Sequence, residues 1–208
     1  MKRPRPVVLL PVKAPSLGKS RLAVPTHLRP GLATAFALDA LDAASATPGL
    51  AEVVVVTDDD EFARHCRNGG VATLPDGDGL NGSLVRAASA VRSRHPDDLP
   101  VALCADLPCL LPADLGSALA QVLDGGAWFT ADTEGKGTTM YAAPYDAFDP
   151  RFGPDSREAH LAAGTREVVG TLATLRRDVD DERTLALALG LGPGSHTRDA
   201  AALLPDGS

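Results

Sequence analysis

Asp106 follows directly on the apolar run Val101-Ala102-Leu103-Cys104-Ala105, and Leu107-Pro108 then turns the chain away. A carboxylate at the carboxyl end of a buried central strand lies where open α/β sheets bind ligands, and a hard divalent cation favours oxygen ligands there. Capping of the next turn is the ordinary alternative for a single such aspartate. Asp178 and Asp180 flank Val179 late in the chain; we read them as lying on opposite faces of an extended segment, with one or both reaching the same edge. Lys13, Lys19 and Arg21 fall in a loop broken by Pro11, Pro15 and Gly18. Lysine serves there as a mobile point charge, and arginine can grip a phosphate through two donors at once. Separated aspartates and a cluster of cations describe magnesium-assisted transfer at a nucleoside triphosphate.

Three further stretches supply polar groups. In Gly77-Asp78-Gly79-Leu80-Asn81-Gly82 the glycines allow close backbone approach, and Asn81 offers the donor and acceptors needed to read a purine edge; an ordinary helix cap is the competing reading. Gly135-Lys136-Gly137-Thr138-Thr139 reads as a polar loop with N–H and hydroxyl donors suited to a small anion. Arg151-Phe152-Gly153-Pro154-Asp155-Ser156 turns into a helix whose amino end carries partial positive charge. The run Asp58-Asp59-Asp60 is read as a helix cap and receives no chemistry. Gly18-Lys19-Ser20 is no Walker loop, because the first glycine of that motif is missing at Val12-Lys13. Nor does the sequence hold G-x-S-x-G, H-E-x-x-H or a cysteine–histidine motif. An acceptor that is already an anionic phosphate needs no general base, since attack on an α-phosphate requires mainly alignment and charge neutralisation.

The elements that must position these residues are legible from patterning. Apolar runs at 7–10, 52–57, 71–74, 101–104, 127–132, 140–143 and 168–176 read as strands. Helices are expected over 30–46, 60–66, from the Gly79 loop to 94, 112–123, 157–163 and 181–189. Strands and helices alternate about six times without a repeat, which predicts an α/β, doubly wound, mixed sheet with the ligand site along one edge. The 208 residues, 44% apolar, suit one domain spanning 1–208, with 190–208 as a short helical extension and mobile tail. No run approaches the roughly 20 apolar residues of a membrane span, and the apolar part of the start is too short for a secretory signal, so a cytoplasmic protein is expected. Cys66, Cys104 and Cys109 lack close-pair metal spacing and read as thiols.

Charge is unevenly distributed. Residues 1–30 carry seven basic side chains and no acidic one, leaving thirteen basic against 27 acidic in the rest. A cationic segment feeding an acidic body, with only 4% aromatics, predicts a local anion site and argues against a nucleic-acid surface.

In order along the chain, Pro11-Val12-Lys13 with Lys19-Ser20-Arg21-Leu22, Gly79-Leu80-Asn81, Ala105-Asp106-Leu107-Pro108, Gly137-Thr138-Thr139, Arg151 to Ser156 and Asp178-Val179-Asp180 resemble one family. It comprises the guanylyltransferases that make the phosphodiester precursor of coenzyme F-420, acting on phosphoenolpyruvate or 2-phospho-L-lactate. The turn 151–156 is the most specific piece; Asp106 and the lysines are shared with the wider nucleotide-diphospho-sugar transferase (GT-A, Rossmann-like) fold. The resemblance implies that Lys13, Lys19 and Arg21 hold the GTP phosphates and that Leu80 and Asn81 face guanine. It further implies that Asp106, Asp178 and Asp180 carry Mg²⁺, and that Thr138, Gly153 and Ser156 bind the three-carbon phospho-acid. A homodimer and hand-over of product to the next pathway enzyme are compatible with it. Ala105 replaces the glycine of many relatives, and Asp181-Glu182-Arg183 replaces their Thr-Pro helix start, which leaves open which of Asp178 and Asp180 touches the metal. Sixteen arginines against four lysines reflect a GC-rich coding sequence, the setting in which the resemblance favours phosphoenolpyruvate. Nucleotide transfer to a molybdenum cofactor or sugar phosphate, and a non-enzymatic nucleotide-binding module, are the alternatives.

Overall fold

The computed structural model describes residues 3–13, 22, 24–77 and 79–205. Seven strands, β1 (Pro6–Pro11), β2 (Glu52–Val56), β3 (Ala72–Leu74), β4 (Leu99–Leu103), β5 (Trp128–Ala131), β6 (Thr138–Ala142) and β7 (Arg166–Glu167), form one sheet in the order β3-β2-β1-β4-β6-β5-β7. β1 runs parallel to both β2 and β4, whereas β6 is antiparallel to its neighbours β4 and β5. The sheet is therefore mixed and doubly wound, as the alternation predicts. Its order reverses between β1 and β4, and both strands point their carboxyl ends to the same edge.

Strand residues are apolar on both faces because both faces are covered. Val8 and Leu10 of β1 with Val101 and Leu103 of β4 face one layer, packed against α1 (Arg29–Ser45), α2 (Asp60–Asn68) and α4 (Pro112–Val122). Val7, Leu9 and Ala102, one residue out of phase, face the other, against α3 (Leu80–Arg92). The Asp58-Asp59-Asp60 run is the helix cap it was read to be: Asp59 accepts from the Phe62 N–H at 2.8 Å.

Downstream come α5 (Ser156–Ala162), α6 (Glu182–Leu191) and α7 (Ser195–Ala201). A capping box between Asp181 and Thr184 starts α6. A third cluster joins Leu22 and Phe36 to Val179, Leu185 and Ala188, with Ala200 and Leu204 packed against it.

Two expected elements differ. The strand expected over 168–176 is only Arg166–Glu167; Val168 still donates to Phe129 O at 2.8 Å, and the chain then turns through Gly170 (φ 110°) and Leu172 (φ 39°). Its buried apolar residues, Val168, Leu172 and Leu175, are spaced four and three apart, which a pleat of period two cannot bury on one face. Thr138 and Thr139, expected in a polar loop, begin β6 and are buried.

Candidate active site

β1 continues its parallel bonding to Val12, whose N–H donates to Val56 O at 2.9 Å, so Lys13 is the first residue released from the sheet, and it is exposed. Lys19 and Arg21 lie outside the described residues. Across the reversal in strand order, β4 ends at Leu103 and Asp106 follows within one turn of chain. Such a reversal opens a crevice at the carboxyl ends of the strands, and ligands of open α/β sheets bind there.

The Asp178–Asp180 segment is locked to Asp106 through the backbone: the Val179 N–H donates to the Asp106 carbonyl at 3.0 Å. Val179 is fully buried in the third cluster, which sends its two neighbours the other way. The expectation that Asp178 and Asp180 lie on opposite faces is thereby corrected. Residues i and i+2 of an extended segment share a face, and carboxylate oxygens of Asp106, Asp178 and Asp180 all lie within 4.8 Å of one another. Burial first, then the charges of Asp106, Asp180 and Asp132, push the Asp178 carboxyl up to about 7. Three carboxylates held at mutual repulsion form an all-oxygen donor set, and a hard divalent cation is what relieves it. The residues present therefore fit a divalent metal.

Sequence reading missed Asp132. It follows directly on β5, which runs parallel to β4, so it reaches the same edge, and a carboxylate just past an apolar strand was the available signal. Its oxygens accept from the N–H groups of Lys136 (2.9 Å) and Gly137 (2.8 Å), shaping the turn before β6. A Cβ on Gly137 would stand 2.5 Å from Asp132 Oδ2, so any other residue there would have to displace that carboxylate. Beside the trio lies a cleft lined by Asp132, Glu134, Arg177, Asp178, Asp180 and Arg183, among others.

The antiparallel register of β4 with β6 pairs Leu103 with Met140, and the Cys104 N–H extends it to Thr139 O at 2.8 Å. Continued one step, this places Thr138 opposite Ala105, next to Asp106. Ser156 donates to Thr138 Oγ1 at 3.1 Å, and the Arg157 N–H donates to Lys136 O at 2.9 Å, tying the start of α5 to the turn before β6. Gly153 has φ 141°, a conformation other residues rarely adopt, and an added side chain would meet open space. Leu80 opens α3 and packs against the second core layer. Asn81 spends part of its amide within the protein: Nδ2 donates to Phe152 O and Oδ1 accepts from the Phe152 N–H, both at 2.9 Å.

Among the described residues, no helix is long and apolar enough to cross a membrane. Strands whose order reverses where Lys13 leaves β1, with an acidic trio beside the reversal, fit a nucleotidyltransferase. Residues 20–186 match the MobA-like NTP transferase domain. Solved structures agree on the fold: a 4-diphosphocytidyl-2C-methyl-D-erythritol synthase superposes with a TM-score of 0.64 at 13% identity, covering 91% of this chain and 99% of that one. A putative nucleotide-diphospho-sugar transferase from Desulfovibrio desulfuricans G20 gives 0.60 at 16% identity, over 90% and 96%. Much nearer in sequence is the phosphoenolpyruvate guanylyltransferase of Thermomonospora curvata, 43% identical over 203 residues, 95% of this chain and 89% of that protein. The enzyme of the same name from Streptomyces coelicolor is 42% identical over 95% and 96%. The chain belongs to the MobA-like NTP transferase family, in the group of the phosphoenolpyruvate guanylyltransferases.

Proposed function

We propose that this chain transfers GMP from GTP to the phosphate of phosphoenolpyruvate, giving enolpyruvyl-diphospho-5'-guanosine and pyrophosphate for coenzyme F-420 synthesis in the cytoplasm. The observation that carries the reading is the convergence of Asp106, Asp178 and Asp180 at the reversal in strand order, in a chain whose relatives at 43% and 42% identity bear that name. Asp106, Asp178 and Asp180 would hold Mg²⁺, which when bound neutralises phosphate charge and aligns the transferring group.

The rest of the work falls to the chain. Lys13, with Lys19 and Arg21, binds the triphosphate. Leu80 and Asn81 face the guanine; with its two bonds to Phe152 made, Asn81 keeps one N–H and one lone pair for the base edge. Thr138, Gly153 and Ser156 seat the three-carbon acid, whose phosphate oxygen attacks the α-phosphorus. A new P–O bond forms as the bond to the β-phosphate oxygen breaks, and pyrophosphate leaves with the electron pair. The attacking oxygen is already anionic, so no side chain has to take a proton, and positioning with charge neutralisation provides the rate.

The test is pyrophosphate release by the purified protein with Mg²⁺, GTP and phosphoenolpyruvate, with 2-phospho-L-lactate and CTP in parallel arms. Turnover with GTP and phosphoenolpyruvate is expected. Turnover only with 2-phospho-L-lactate moves the acceptor assignment, and turnover with CTP alone or with no acceptor removes the proposal.

A further inference from the structure

The imidazole of His160 on α5 is fully buried and has no part in the reaction as described so far. It stacks on the cross-strand pair Phe129 and Tyr141, with ring centroids at 5.3 and 4.9 Å, and meets the edge of Phe152 at 6.1 Å. Both ring nitrogens are used. Nε2 lies 3.0 Å from the backbone N–H of Arg151, and Nδ1 lies 3.1 Å from Thr138 Oγ1.

These two contacts are not symmetric. A backbone N–H can only donate, so Nε2 must present its lone pair, and a neutral ring then carries its hydrogen on Nδ1. Thr138 Oγ1 therefore cannot donate to the ring and accepts from it, sharing that hydrogen with the Ser156 carbonyl. Thr138 and Ser156 together bring two hydroxyl hydrogens, and the bond between them, at 3.1 Å, uses one. With the ring supplying its own hydrogen to Thr138, the other hydroxyl hydrogen is not used within the group of three. In the opposite tautomer Thr138 would donate to the ring and Ser156 to Thr138, and the pair would show only lone pairs to its surroundings. An anion would be repelled by that arrangement and is bound by the other.

We propose that His160 is a positioning residue for the acceptor: held in one tautomer by the Arg151 N–H, it sets the Thr138–Ser156 hydroxyl pair so that one hydrogen faces the anionic phospho-acid. This rests on the reading that Thr138 and Ser156 seat the acceptor. The same ring joins the start of β6 to the 151–156 turn, so both sides of that seat take their register from it.

The test combines steady-state kinetics with NMR of the wild-type protein. His160→Phe keeps the aromatic stack but offers no N–H, and is expected to raise KM for the acceptor roughly tenfold or more, the scale of a lost hydrogen bond to a charged group, with KM for GTP within about twofold. His160→Asn, whose amide nitrogen takes the place of Nδ1, is expected to recover much of that loss. A long-range proton–nitrogen spectrum of the unsubstituted protein is expected to show Nδ1 protonated and Nε2 bare, and this holds whether or not the variants fold. A hydrogen on Nε2, or equal KM shifts for GTP and acceptor in His160→Phe, overturns the proposal. Ser156→Ala and Thr138→Val separate the two levels. If neither raises KM for the acceptor, the seat itself is wrong; if both do and His160→Phe does not, only the role of His160 falls.

Discussion

Asn81 and Phe152 exchange two hydrogen bonds, each 2.9 Å, across 71 residues of sequence. The side chain of a residue at the start of α3 thus completes the backbone of the turn that leads into α5. Loops proposed for guanine and for the acceptor acid are joined by a pair of bonds that neither loop could make alone.

Asn81→Ala removes both bonds and strands the Phe152 N–H and carbonyl, at a cost of about 1–3 kcal/mol. KM for GTP and KM for the acceptor are expected to rise together in steady-state assays. A rise confined to GTP would show Asn81 acting as a base reader alone, without a structural share in the acceptor turn.

Asp106→Asn is expected to abolish pyrophosphate release and yet leave the metal-free protein as stable as before or more so, because it removes one of three crowded charges at nearly constant volume. Thermal unfolding with and without Mg²⁺ checks it. The wild-type protein should gain stability with Mg²⁺ concentration, as binding to the native state alone requires, and the variant should not. Equal gains in both would exclude Asp106 as a ligand.

The buried carboxylate of Asp39 accepts from the N–H groups of His196 (3.1 Å) and Thr197 (2.9 Å), anchoring the start of α7 against α1. Asp39→Ala leaves those donors without their acceptor, and a helix cap of this kind contributes about 1 kcal/mol or more. Hydrogen exchange is expected to speed up selectively in α7, with the β1 and β4 amides protected as before. Uniform acceleration across the sheet would contradict a local anchor.

At the opposite edge of the sheet, burial raises the Asp98 carboxyl, but the Arg5 N–H at 2.9 Å, His95 Nδ1 at 3.0 Å and the charges of Arg5 and His95 outweigh it and hold the group below its usual value. Because the folded pKa lies below the unfolded one, the stabilisation is complete above the unfolded value and is lost as pH falls through the folded one. The Tm difference between the wild-type protein and Asp98→Asn should be greatest near neutral pH and should close in acid. A difference independent of pH would assign the effect to packing.

The sheet was legible because its strands are mostly uninterrupted apolar runs and four of its helices open on a proline or a capping aspartate, both local properties. Asp106 was legible for the same reason, a lone carboxylate ending such a run. Pairing of Asp178 with Asp180 on one face needed only the strand period, but it was read as a split. Val179, anchored to the Asp106 carbonyl and buried behind, shows why the two go together. What could not be read were partners distant in sequence: nothing in Gly79-Leu80-Asn81 announces Phe152, and nothing in Arg157-Glu158-Ala159-His160 announces an imidazole fitted between Thr138 and Arg151. Asp132 escaped because its strand is ordered only after β6, an antiparallel insertion, has been placed in the sheet.

The bond from Val179 to Asp106 also has a bearing on biosynthesis. Asp178 and Asp180 leave the ribosome long after β1 and β4, so a nascent chain lays down its central strands while still unable to chelate a cation tightly. Competence for the metal arrives only once this late segment docks, and a truncated translation product lacking it would be left without the complete chelate.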